Sequence, residues 1–141
     1  MLKRLLWLLV LAGILFSGWR FGYPIALRYL FRVSGAVNVA EPLLHSLPGP
    51  NSMLFVIAVN EGGVPVAVAK IINPVFPASF EMTSSSLIMP DLLTRKIYLE
   101  ATLNTHGQLG LFKRGDMKGT LRERVNIRQK GVEITLNPEA K

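Results

Sequence analysis

Apolar residues are distributed along this chain in distinct patterns, and each pattern predicts a different element. After Lys3 and Arg4, the run from Leu5 to Trp19 contains no charge. A helix of about 15 residues reaches roughly 22 Å, and continuing it past a snorkelling Arg20 to Tyr23 gives about 28 Å, close to the hydrocarbon thickness of a bilayer at roughly 30 Å. Trp19, Phe21 and Tyr23 suit the interfacial aromatic belt. The pattern therefore predicts an uncleaved transmembrane anchor. A secretory signal has the same basic start and apolar core, but cleavage after Gly18 would put bulky Phe16 where a small side chain is required.

From Pro24 to Val33 the sequence PIALRYLFRV sets Arg28 and Arg32 one helical turn apart, with apolar residues over the rest of the surface. This predicts an interfacial helix whose arginines meet lipid phosphate, the alternative being that the first helix continues into a stalk. Trp19, Arg20, Tyr23, Arg28 and Arg32 form the expected membrane-interface set. Arg20, Arg28 and Arg32 on one side nearly balance Lys3 and Arg4 on the other, so charge alone does not orient the span.

Beyond residue 33 the pattern shortens. Residues 34–52, interrupted by Gly35, Pro42, Pro48, Gly49 and Pro50, read as a linker or lead-in strand. Met53 to Asn60 and Pro65 to Ile72 are β-branched runs separated by Asn60-Glu61-Gly62-Gly63, the spacing of a β-hairpin. Further strands are expected at Ser79 to Thr83, Lys96 to Leu103, Gly119 to Arg128 and Val132 to Leu136, the last two as a pair across Lys130-Gly131. The expected class is all-β: a small antiparallel sandwich or barrel-like domain over 53–141, carried on a single N-terminal transmembrane helix within 1–33.

After Thr120 the parity is clean. Leu121, Val125 and Ile127 fall on one face, and Arg122, Arg124, Asn126, Arg128 and Lys130 on the other. Such a basic face either discourages edge pairing or docks an anionic partner. Arg122, Arg124, Arg128 and Lys130 are the candidate partner-binding residues.

Composition narrows the chemistry. The 141 residues allow one domain, and the absence of cysteine removes disulfides, thiolate metal sites and thiol redox chemistry. A net charge of +7 with a pI near 10.2 admits nucleic acid, anionic lipid or an acidic protein. Stacking aromatics are missing from the basic segment and a membrane anchor precedes it, so lipid and protein are expected and nucleic acid is not. His45 and His106 are far apart in sequence, no nucleophile elbow or metalloprotease helix occurs, and Ser84 to Ser86 fit a turn. Gly107 and Gly110 lack the pattern of a phosphate cradle. Met82, Met89, Met117 and His106 are soft donors without a metal-ligand spacing, and His45 lacks any context as a haem ligand. An enzyme, a cofactor, a metal site and a small-molecule substrate are not expected.

From Leu54 onward the order of short segments resembles a known family. Phe55-Val56-Ile57-Ala58, Val64-Pro65-Val66-Ala67-Val68-Ala69-Lys70, Phe80-Glu81-Met82-Thr83 with Ser84-Ser85-Ser86-Leu87-Ile88-Met89-Pro90, then Glu100-Ala101-Thr102-Leu103, Gly107 and Gly115-Asp116-Met117-Lys118-Gly119 are similar to the C-terminal periplasmic domain of the CycH-like apocytochrome-handling subunit of system I cytochrome c maturation. The resemblance covers roughly 54–137 and implies attachment to the bacterial cytoplasmic membrane with the C-terminal domain in the periplasm. It implies a non-enzymatic assembly or accessory factor for c-type cytochromes, with apocytochrome c or a membrane cytochrome complex as protein partner. The helical tetratricopeptide repeats of the longer relatives have no counterpart in this sequence, which keeps open a permanent structural subunit of a membrane-bound respiratory complex. No catalytic residue is implied.

Overall fold

The computed structural model describes residues 1–40, 51–108 and 116–138. One apolar helix leads into a nearly closed, barrel-like β-sheet domain. Helix α1 runs without interruption over Leu2–Leu30. By length and composition it can cross a membrane, and its most apolar stretch is wholly exposed on the protein. Pro24 lies inside it, so the separate interfacial helix expected from Pro24 is instead the continuation of α1. The last turns are held by tertiary packing, since Leu27 and Phe31 are buried in the core of the β-domain.

Among the described residues eight strands follow: β1 (Arg32–Val39), β2 (Met53–Val59), β3 (Pro65–Ile72), β4 (Ala78–Thr83), β5 (Lys96–Asn104), β6 (Met117–Thr120), β7 (Val125–Asn126) and β8 (Val132–Pro138). The sheet order is β3-β2-β5-β6-β8-β1-β4, with β7 paired to β5. The predicted hairpin is present as β2 and β3, in register from Met53 opposite Ile72 to Ala58 opposite Ala67. The edge strands β3 and β4 face each other, and the segment after β4 bridges them. Ile88 N–H donates to the Val66 carbonyl at 2.8 Å, and Leu87 pairs with Ala67.

Of the two readings of 34–52, the lead-in strand is the one seen at its start: the segment opens with most of β1, which pairs antiparallel with β4 and parallel with β8. The prolines that suggested a linker all follow this strand, and its neighbours are some 40 to 100 residues away in sequence. The expected strand from Gly119 to Arg128 is broken. β6 ends at Thr120, Leu121 N–H donates to the Leu99 carbonyl at 3.0 Å, and the chain crosses to β7. β6 pairs with β5 and β8, and β7 pairs with β5, so no hairpin joins β7 to β8. The parity of burial survives for Val125 and Ile127, which are buried while Arg122, Arg124, Asn126, Arg128 and Lys130 are exposed.

Residues 117–138 thus fill the slot between β5 and β1. At one end β6 and β8 occupy it. At the other, residues 125–129 do: Arg32 N–H donates to the Ile127 carbonyl at 2.8 Å, Ser34 N–H to the Gln129 carbonyl at 3.1 Å, and Ile127 N–H to the Arg95 carbonyl at 3.2 Å. β8 is flanked by glycines because its neighbours come unusually close. A Cβ on Gly35 would lie 2.0 Å from the Val132 carbonyl oxygen, and one on Gly119 2.3 Å from that of Thr135.

Candidate functional site at the junction of helix and barrel

The final turns of α1 sit between two loops of the barrel. On one side are Ser84, Leu87 and Pro90, which with Ile25, Arg28 and Tyr29 line a cavity of about 340 Å³. Thr83 and Ser86 cap the short turn Ser84–Ser86 reciprocally, which is the structural role expected for these serines. Arg28 forms an ion pair with Asp91 across this interface. Arg32, the first residue of β1, donates to Glu81 at 2.6 Å on β4. Both arginines therefore have protein partners within the chain.

On the other side of the helix a second cavity, of about 550 Å³, is lined by Tyr23, Leu27, Leu30, Arg95, Asn126, Ile127, Arg128 and Gln129. The pairing of Lys96 with Asn126 and the Arg95–Ile127 hydrogen bond bring the Thr94-Arg95-Lys96 corner beside the 126–129 turn. Among the described residues neither Arg95 nor Arg128 has an ion-pair partner. Trp19 and Tyr23 stack with ring centroids 5.2 Å apart just below this cavity. Arg20 is exposed on α1 between them.

The β2–β3 turn lies at the same end of the barrel. Asn60, 7% exposed, is the knot that holds it. Its Oδ1 accepts from Gly62 N–H and Val64 N–H, both at 2.9 Å, and its Nδ2 donates to the Leu92 carbonyl at 3.0 Å. Glu61 beside it accepts from Arg124 at 3.3 Å. Of the four predicted partner-binding cations, Arg124 is thus engaged within the chain, Arg128 lines the cavity, and Arg122 and Lys130 are exposed without a partner among the described residues. Arg95 was not singled out by the sequence. A lone arginine between two strands carries no periodic signal, and its proximity to Arg128 arises from the β5–β7 pairing.

At the opposite end, His106 Nε2 lies 2.7 Å from an Asp116 carboxylate oxygen. Gln108 N–H donates to His106 Nδ1 at 3.2 Å, so the neutral ring carries its proton on Nε2 and donates it to Asp116. Asn104, fully buried, accepts from Gly107 N–H at 2.9 Å. This arrangement ties the β5–β6 connection together. Met82 and Met117 are buried in the core, whereas Met89 is exposed on the Leu87–Pro90 loop. His45, Gly110 and Gly115 lie outside the described residues.

Comparison with known proteins places these features in a family context. Residues 33–137 match the family model described as the cytochrome c-type biogenesis protein H Ig-like domain. An uncharacterized protein of Aquifex aeolicus (strain VF5) is 35% identical over 89 residues, covering 62% of this chain and 59% of that protein's length. Among solved structures, an alternative pilotin from the type II secretion system of Vibrio cholerae superimposes with a TM-score of 0.50 at 11% identity, over 78% of this chain and 97% of that one. That likeness is one of fold.

Proposed function

Because the chain belongs to the family of cytochrome c-type biogenesis protein H Ig-like domains, we propose that it is a non-enzymatic accessory factor for c-type cytochromes, anchored by α1 in the bacterial cytoplasmic membrane with its barrel in the periplasm. The observation that carries this reading is the extent of the match. It runs over 33–137, which takes in β1 as well as the strands recognisable in the sequence, so the family likeness and the folded β-domain coincide.

The mode of action is protein binding beside the membrane. α1 fixes the barrel at the surface, because Leu27 and Phe31 are built into the core and Arg28 is paired to Asp91. A protein partner that is itself membrane-bound, or delivered at the membrane, then meets the barrel in one orientation. Such confinement raises effective concentration without additional contacts.

Affinity purification of the full chain from detergent-solubilised membranes tests the proposal. A c-type apocytochrome, or components of its maturation machinery, should co-purify substoichiometrically. Recovery of a haem-loaded cytochrome complex at fixed ratio would instead make the chain a permanent subunit. An alkaline phosphatase reporter joined after Lys141 should be active, and an inactive, cytoplasmic reporter would refute the periplasmic orientation.

A further inference from the structure

We infer that the cavity between α1 and the Asn126–Gln129 turn takes the phosphate diester of a phospholipid headgroup, held between Arg95 and Arg128. The inference rests on the reading of α1 as a membrane span. At 29 residues α1 is about 43 Å long, exceeding the roughly 30 Å hydrocarbon core by a little over two turns. The uncharged run ends at Trp19, and the stacked Trp19–Tyr23 pair marks the interfacial level. From Tyr23 to Leu30 the helix rises about 10 Å, which is enough to traverse the headgroup layer. The cavity is lined at both of these levels, by Tyr23 and by Leu30. Its depth is therefore that of lipid phosphate.

Its chemistry agrees with its depth. Leu27, Leu30 and Ile127 supply apolar wall, and two guanidinium groups supply the fork geometry that binds phosphate oxygens bidentately. The cavity's volume of about 550 Å³ lies within the range of clefts that enclose small ligands, about 300–1,000 Å³. Charge around the helix is asymmetric. On the Ser84–Asp91 side, Arg28 is neutralised by Asp91, and on the Arg95 side the two arginines face the cavity without an acid between them. Lys96, Arg122 and Lys130, on the same end of the barrel, are exposed and unpaired among the described residues, with Glu123 and Glu133 the nearby unpaired acids. The resulting positive field favours an anionic lipid over a zwitterionic one.

The test uses the full chain in mild detergent, with phosphatidylglycerol added and lipid adducts counted by native mass spectrometry. The wild type should carry a discrete one-lipid adduct. Arg95→Gln with Arg128→Gln should lower its occupancy about fivefold or more, and Arg122→Gln with Lys130→Gln less than about twofold. Arg95→Lys with Arg128→Lys should fall between, because lysine keeps the charge and loses the fork. Unchanged occupancy in the Arg95/Arg128 glutamine variant overturns the inference, as does equal loss in both glutamine variants, which would indicate a diffuse field. Displacement of the lipid by millimolar inorganic phosphate would make this a free-anion site. Loss of a co-purifying protein with lipid retained would assign the arginines to an acidic protein partner. Recovery of the chain in the soluble fraction without detergent would refute the membrane span itself, an outcome distinct from all of these.

Discussion

The two ends of the barrel are closed in opposite ways. At the end away from α1, the described residues tie the loops with buried or half-buried groups, Asn104 capping Gly107 and His106 meeting Asp116, and with one exposed link, Asn73 Oδ1 accepting from Asn51 N–H at 2.9 Å. At the helix end, Asn60 is the one buried amide knot among the described residues, and the other side-chain ties there include exposed ion pairs, Arg28–Asp91, Arg32–Glu81 and Arg124–Glu61. The difference teaches where stability and interaction reside. A buried hydrogen-bonding group left without its partner costs about 1–3 kcal/mol, whereas an exposed ion pair contributes about 0–1 kcal/mol and weakens with salt. Buried amides hold the loops at both ends, and the helix end in addition presents charge at modest energetic consequence.

Substitutions of buried hydrogen-bonding groups and of exposed charges should therefore separate clearly, with stability read from chemical denaturation of the detergent-solubilised chain. The largest effect is expected for Asn104→Ala, which strands the Gly107 N–H and the Gln108 carbonyl, at about 2–3 kcal/mol. Asn60→Ala should cost about 2 kcal/mol, because it frees two turn N–H groups and the link to Leu92. A cost below about 0.5 kcal/mol would mean that the turn holds without its amide. His106→Ala should cost about 1–2 kcal/mol by leaving buried Asp116 without this donor. Glu81→Gln, which removes the charge opposite Arg32, should cost less than about 1 kcal/mol, and the difference from wild type should shrink in 1 M salt. Smallest of all, Arg122→Gln with Lys130→Gln should stay within about 1 kcal/mol, since both are exposed surface positions. A larger loss there would show that the cations support the fold.

Legibility in the sequence followed the range of the interactions. The β2–β3 hairpin was readable because Asn60-Glu61-Gly62-Gly63 states its own turn, with Gly63 at φ +84°. Burial parity after Thr120 was readable because alternation is local. Pairing was not: whether residues 125–129 join β8 or β5 depends on Lys96 and Ile97, thirty residues upstream. For β1 a lead-in strand was one of two readings, and its partners were hidden for the same reason, since Gly35 resembles a chain breaker until the Val132 carbonyl is placed against it. For Arg28 and Arg32, sequence revealed the charge and not the partner, and Asp91 and Glu81 are separated from them by 63 and 49 residues. The Arg95–Arg128 cavity, assembled from three distant segments, had no local signature.

The strand that leaves the helix has a further consequence, for the order of events during synthesis. β1 emerges directly behind α1, but its sheet neighbours are β4 and, in parallel, β8, the strand made last among those described. Throughout elongation β1 waits with at least one row of backbone donors and acceptors unanswered, and the sheet cannot close until residues 132–138 are delivered. Non-local closure of this kind is slow and exposes strand edges to other chains. Closure of this barrel is thus timed by the arrival of β8. A nascent chain stalled before Val132 should remain protease-sensitive across β1, and one released beyond Pro138 should not.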